Sequence, residues 1–308
     1  MRKFILKVVG FALAVIIPIF FLVFLPPTPR SLQAPIFAEL QKDSLLKHVE
    51  SPRIIFVGGS NLSFGINSQT IRDSFNINPI NTAISAGLGL KYMMDHTIQY
   101  VKKEDIVVLV PEYDHFFREY EYISDELLRI VADVNHDNYR LLSAKQRFNL
   151  LSFIPKFSVS KLSPLRYFNI EVVDYQSIHS FNQYGDTYKH WGLEKKTIAS
   201  TTIAGKFNPE VIQGVKKFQS DISLKGAILF VSYPSLQDIS FFKSVKAIKD
   251  VEASYIQNGF TVLGTPERYM MPDSLMFDTR YHLGKKGLDY RTQLLIEDLR
   301  EYLKNSHP

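Results

Sequence analysis

The chain has no cysteine, so it carries neither disulfide staples nor cysteine-ligated metal, a composition that suits an exported protein avoiding stray oxidation. Its eight histidines include no H-x-x-x-H or H-E-x-x-H spacing, so no metal site is expected. Neither G-x-G-x-x-G nor G-x-x-x-x-G-K-[ST] occurs, which removes the common phosphate-cradling loops; no cofactor is expected. Acidic residues are missing from the first 30 positions, which hold Arg2, Lys3, Lys7 and Arg30. Beyond them the chain has 32 bases against 31 acids, so the net charge of +5 is largely a property of the amino terminus. A near-neutral body has no electrostatic footprint for nucleic acid, and that class of partner is set aside.

What the amino terminus does have is a long apolar run. Residues 8–25 (VVGFALAVIIPIFFLVFL) are free of charge, and Phe4 to Leu6 extend the run past Lys7. At about 1.5 Å per residue, 18 to 22 residues just cross a hydrocarbon core of about 30 Å. Basic residues precede the run, so the amino end is expected in the cytoplasm of a bacterial inner membrane, with the body in the periplasm or outside the cell. A cleaved signal peptide is the competing reading, but Pro26-Pro27-Thr28-Pro29-Arg30 follows where small residues of the A-x-A kind would stand. Residues 1–30 are therefore read as a cytoplasmic stub and a retained single-pass anchor, touching the membrane through residues 4–25. Pro18 is expected to kink the helix without preventing it from spanning.

Residues 31–52 read as a stalk that becomes a helix before Ser51-Pro52. The body, residues 53–308, begins with the apolar strand Arg53 to Val57, then a capped helix over 68–75. A weaker strand at 78–84, a helix over 88–102 and a buried strand at 105–110 continue the series. After a gap the rhythm resumes with a strand at 226–233, a helix over 238–257, a strand at 260–263 and a last helix over 284–304. Non-alternating strands separated by helices indicate an α/β fold with a mainly parallel sheet covered on both faces. Between these halves, residues 118–208 are aromatic and polar and read as an insertion over the strand ends, helical at 143–151. Its rings are read first as packing, although flat rings also suit sugar faces.

Two clusters carry chemistry. The first strand runs into Gly58-Gly59-Ser60-Asn61, placing Ser60 at a carboxyl strand end, where ligands bind in open parallel sheets. The glycines are expected to permit a sharp turn that exposes the hydroxyl, although Gly-Gly-Ser also occurs as plain turn chemistry. The second cluster, Asp278-Thr279-Arg280-Tyr281-His282-Leu283, sets a histidine just before the last helix with an aspartate four residues upstream. Four residues of loop can curl so that the carboxylate meets Nδ1, leaving Nε2 for a serine. His48, His96, His115, His136, His179, His190 and His307 lack this arrangement and are read as structural or solvent-facing.

A strand-ending Gly-x-Ser block, an Asn-x-x-x-x-x-Gly block (Asn81 to Gly87) and a late Asp/His block resemble the SGNH, or GDSL-like, hydrolase superfamily. The closest likeness is to its membrane-anchored bacterial members associated with surface polysaccharides. The resemblance covers residues 53–120 and 224–304 and implies a three-layer α/β/α, flavodoxin-like architecture. It also implies that Ser60 is the nucleophile, with its own N–H in the oxyanion hole, His282 the base, Asp278 the orienting acid and Gly87 a second N–H donor. Two departures stand out: the superfamily spaces its Asp and His by three rather than four, and it puts Gly-x-Asn-Asp after the third strand. This chain has Val110-Pro111-Glu112-Tyr113-Asp114 there, without the asparagine whose amide would be the third donor. Tyr113 or Asn61 is the candidate replacement, and Glu112, Tyr113 and Tyr281 are candidate substrate-binding residues.

The resulting expectation is an extracytoplasmic serine esterase or O-acyltransferase for acyl groups, acetyl foremost, of a cell-envelope polysaccharide. Its implied partners are an acylated glycan and a membrane-embedded acyltransferase or polysaccharide export machinery. The rival is an anchored glycan-binding or assembly protein that keeps the fold and has lost the reaction.

Overall fold

The computed structural model describes residues 1–305; His307 lies outside them. Five strands form one parallel sheet: β1 (Arg53–Gly58), β2 (Asn78–Asn81), β3 (Ile106–Val110), β4 (Ile228–Ser232) and β6 (Val262–Leu263), in the order β2-β1-β3-β4-β6. The short β5 (Leu236–Gln237) and β7 (Met270–Met271) pair separately, and nothing in the hydrophobic pattern announced them. All six residues of β1 and all five of β3 are buried, which is why these stretches read as unbroken apolar runs.

Because side chains alternate along a strand, the sheet divides its apolar residues between two faces. Ile55, Val57, Val107 and Leu109 join a large cluster with Val215 and Phe218 of the helix Pro209–Leu224 and Ile248 and Val251 of the helix Val245–Gln257. Ile54, Phe56, Val108 and Val110 join a smaller one with Ile71 of the helix Ser68–Phe75 and Leu295, Ile296 and Leu299 of the last helix, Lys285–Asn305. The fold is thus α/β with a mainly parallel sheet. Asn67 and Asn208 begin two of these helices by accepting backbone N–H bonds from Thr70 and Glu210.

The helix Arg2–Leu22 is long and apolar enough to cross a membrane, and none of its residues is buried. The segment after it is not a stalk. Ile36, Phe37, Ala38 and Leu46 are buried with the body, and so are the charged Glu39, Lys42 and Asp43. Each of these charges has a partner distant in sequence. Glu39 accepts from Tyr92 and Asn138 at 2.8 and 2.7 Å, Asp43 lies 3.0 Å from His96, and the Lys42 ammonium donates to the carbonyls of Asn81 and Gly185 at 2.8 and 2.6 Å. Burial pushes Lys42 down to about 7. The same network anchors the insertion: buried Asp186 accepts from Ser68 and Asn81, tying residues 182–187 to the strand ends.

Candidate active site

The register of the two central strands builds the site. Gly58 pairs with Val110, the last pair of β1 and β3, so the two chains leave the sheet side by side. Ser60 and Glu112, each two residues further on, face one another: Ser60 Oγ donates to Glu112 Oε1 at 3.4 Å, and the Asn61 N–H reaches the same oxygen at 3.3 Å. The glycines serve close approach rather than a left-handed turn. Gly59 has φ −87°, and a Cβ on it would lie 2.9 Å from Glu112 Oε1 and 3.0 Å from Ala86 Cα. A Cβ on Gly58 would sit 2.6 Å from the Val110 carbonyl oxygen.

His282 is placed by its own loop. An antiparallel bridge between Met276 and Leu283, closed by Phe277 N–H donating to the His282 carbonyl at 2.8 Å, folds residues 277–282 into a tight turn. Thr279 Oγ1 accepts the N–H groups of Tyr281 and His282. Inside this turn His282 Nδ1 and Asp278 Oδ1 are 2.7 Å apart, so the four-residue spacing closes the pair. With Nδ1–H given to the carboxylate, Nε2 keeps its lone pair. Phe64, at the end of the short helix that Ser60 starts, stacks on the imidazole at 4.1 Å between centroids and 6° between planes. The ring is thereby fixed from two directions.

Ser60, Glu112, Asp278, Tyr281 and His282 line one cavity of about 500 Å³, together with Asp114, Arg118 and Arg280. Ile198, Ala199 and Thr201 of the insertion close part of its wall. No hydrogen bond joins Ser60 to His282 among the described residues; the serine proton is directed at Glu112 instead. Burial pushes the Glu112 carboxyl above the usual carboxylate range. The charges of His282 and Arg280 and the Asn61 N–H pull it back, while Asp114 pushes it further. Asp114 itself is gripped by Arg280 at 2.6 Å and by the Tyr281 hydroxyl at 2.7 Å.

Three expected oxyanion donors are turned elsewhere. The Gly87 N–H donates to Ser85 Oγ at 3.1 Å, and Ala86 rather than Gly87 lines the cavity. Tyr113 starts a 3₁₀ turn that sends its ring into the core against Tyr233, with its hydroxyl unpartnered among the described residues. The Asn61 amide donates to the Val110 carbonyl at 3.2 Å and is fully buried. That leaves the Ser60 N–H, for which no acceptor is found among the described residues. Sequence reasoning overlooked Phe64, Asp114, Arg118 and the grip of Arg280. Asp114 could have been found from its place two residues beyond Glu112 on the same exit from β3, a strand that the apolar run at 105–110 announces.

Two of the histidines read as structural or solvent-facing adjoin the site. His115 lines the cavity and is pushed down to about 4 by burial, so it is neutral there. His190 packs 4.7 Å from Phe64, bonds the Leu283 carbonyl at 3.0 Å and is likewise pushed down to about 4 by burial. No family model matches the chain, and no curated protein matches it.

Proposed function

We propose that the protein is a membrane-anchored serine esterase or O-acyltransferase of the SGNH type, with the three-layer arrangement of that superfamily. The apolar helix holds it in a bacterial inner membrane, with its amino end in the cytoplasm and its body on the far side. Its substrate is an acyl ester, acetyl foremost, on a cell-envelope polysaccharide. The observation that carries this reading is the His282–Asp278 pair, 2.7 Å apart in the wall of the cavity that also exposes Ser60.

In the reaction Ser60 Oγ bonds to the acyl carbonyl carbon while His282 takes the hydroxyl proton. Asp278 keeps the imidazole in the tautomer that can accept it. The carbonyl oxygen becomes an oxyanion, held by the Ser60 N–H. As the carbon–oxygen bond to the sugar breaks, His282 returns the proton to the leaving sugar oxygen and an acyl-serine remains. Water then attacks to release the free acid, or a second sugar hydroxyl attacks to complete a transfer; in either case His282 takes the attacking proton and gives it back to Ser60. For Ser60 to engage His282, its hydroxyl rotates away from Glu112.

A second reading, a glycan-binding or assembly protein without the reaction, is favoured by one feature: the carboxyl of Glu112 occupies the place of an oxyanion donor and takes the serine's proton bond. Labelling of the full chain by a fluorophosphonate separates the two. The enzyme reading expects labelling that Ser60→Ala abolishes; folded wild-type protein that stays unlabelled overturns it.

A further inference from the structure

The insertion carries more apolar surface than its packing uses. Phe168, Phe148 and Leu165 are 88%, 73% and 71% exposed, and Val159 and Leu162 more than half exposed. All five lie in one stretch, which holds the helices Ala144–Leu150, Ile154–Ser160 and Leu165–Phe168. This stretch also grips the apolar amino-terminal helix. The helix Ile154–Ser160 packs against it, and the Lys161 ammonium bonds the carbonyls of Val23 and Leu25 at 2.8 and 2.5 Å while pairing with Asp133 at 2.7 Å. Between them lies an apolar cavity of about 530 Å³, walled by Phe20 and Phe24 on one side and Leu150, Leu151 and Ile154 on the other.

The charge pattern selects the occupant. From Asn138 to Ile170 the sequence holds six bases and no acid; Lys145 and Lys161 pair with Glu119 and Asp133, which leaves Arg140, Arg147, Lys156 and Arg166 without an acidic partner among the described residues. Aromatic and leucine side chains exposed beside basic residues, at the end of a membrane-length helix, match the chemistry of an interfacial segment facing anionic lipid. A soluble face of a monomer would not leave so many large apolar groups in water together.

We propose that residues 144–170 form a second membrane contact, lying in the acyl–headgroup boundary of the bilayer that the amino-terminal helix crosses. The occupant of this surface is lipid. Lys161 ties the surface to the chain just past the end of the spanning helix, so the two contacts fix the body's attitude as well as its distance from the membrane. This inference rests on the reading of the amino-terminal helix as spanning, and the test separates the two.

The full chain carrying Trp191→Phe, which removes its one tryptophan, receives a single new tryptophan at Phe168 or, as the anchor's reporter, at Phe11. Both are reconstituted in vesicles of phosphatidylcholine and phosphatidylglycerol with brominated acyl chains. Both positions are exposed, so the ring exchange leaves the fold intact. The expected result is that Phe11→Trp and Phe168→Trp each lose most of their fluorescence to the brominated chains and resist aqueous iodide. If Phe11→Trp is quenched by lipid and Phe168→Trp by iodide, the second contact is overturned and the anchor stands. A Phe168→Trp that neither reagent reaches also overturns it, assigning the surface to a protein partner. If Phe11→Trp itself escapes the brominated lipid, the spanning reading fails and this inference fails with it.

Discussion

β1 and β3 meet twice through side chains, once at each end, and the two meetings are built differently. At the amino ends Arg53 and Asp105 form a fully buried pair with two parallel bonds of 3.0 and 2.5 Å. Arg53 also donates to the carbonyls of Leu46 and Tyr100, and Asp105 also accepts from Ser51 and from the Lys102 N–H. At the carboxyl ends Ser60 meets Glu112 at 3.4 Å, with a buried carboxyl that lacks a cationic partner in hydrogen-bond contact among the described residues. One end of the strand pair is saturated and the other is left open to a cavity. In a parallel sheet the carboxyl ends are where ligands bind, so an unsaturated polar pair there is available to a ligand, while a saturated pair at the other end serves stability.

The largest expected effects separate the ends completely. On the proposed esterase reading, Ser60→Ala or His282→Ala lowers kcat/KM on an acetyl ester on the order of 10⁴- to 10⁶-fold, and Ser60→Ala does so with an unchanged urea midpoint. Asp278→Asn keeps the shape of the turn but presents the wrong imidazole tautomer, a loss of about 10⁴-fold in kcat. A steady-state assay with Ser60→Ala retaining wild-type turnover would end the assignment of this carboxyl end as catalytic. At the opposite end Asp105→Ala leaves the Arg53 guanidinium buried and without its carboxylate, which costs about 3–5 kcal/mol. Urea unfolding should show that loss, and the folded fraction should keep its turnover per molecule. A variant of unchanged stability would mean the two ends do not differ as described.

What the sequence made legible follows from how local each feature is. β1, β3 and β4 declare themselves as runs of large apolar residues without polar alternation, and Asp278 and His282 close within one turn. Glu112 beside Ser60 depends on the Gly58–Val110 register, which no local pattern encodes. The orientation of Tyr113 depends on a single backbone turn after β3 that sends its ring inward while Glu112 faces the cavity. The direction of the Gly87 N–H is equally invisible in the spacing of its block, since Ser85 Oγ accepts it through a contact two residues back. The supposed stalk failed differently: Glu39, Lys42 and Asp43 look solvated until partners far along the chain, from Asn81 to Gly185, are brought to them.

Glu112→Gln gives the smallest change and bears most directly on why the open end is open. Burial raises the carboxyl from its ordinary 4.5, so the folded state holds this proton more tightly than the unfolded chain. Its contribution to stability is therefore full below 4.5 and is lost as pH rises through the raised value. Glutamine cannot ionise, so the variant should match the wild type near pH 4 and melt a few degrees higher at pH 8. The same substitution acts on the reaction. On the proposed esterase reading an ionised Glu112 opposes the oxyanion forming beside it, so the wild-type rate should fall as pH rises through the raised value. The amide of the substituted side chain donates at every pH, which should remove that fall and raise kcat/KM at pH 8 on the order of 10-fold. Melting curves and pH–rate profiles of the two proteins read both effects. A variant that gains stability yet loses activity at every pH would make Glu112 a participant in the reaction rather than an obstacle to it.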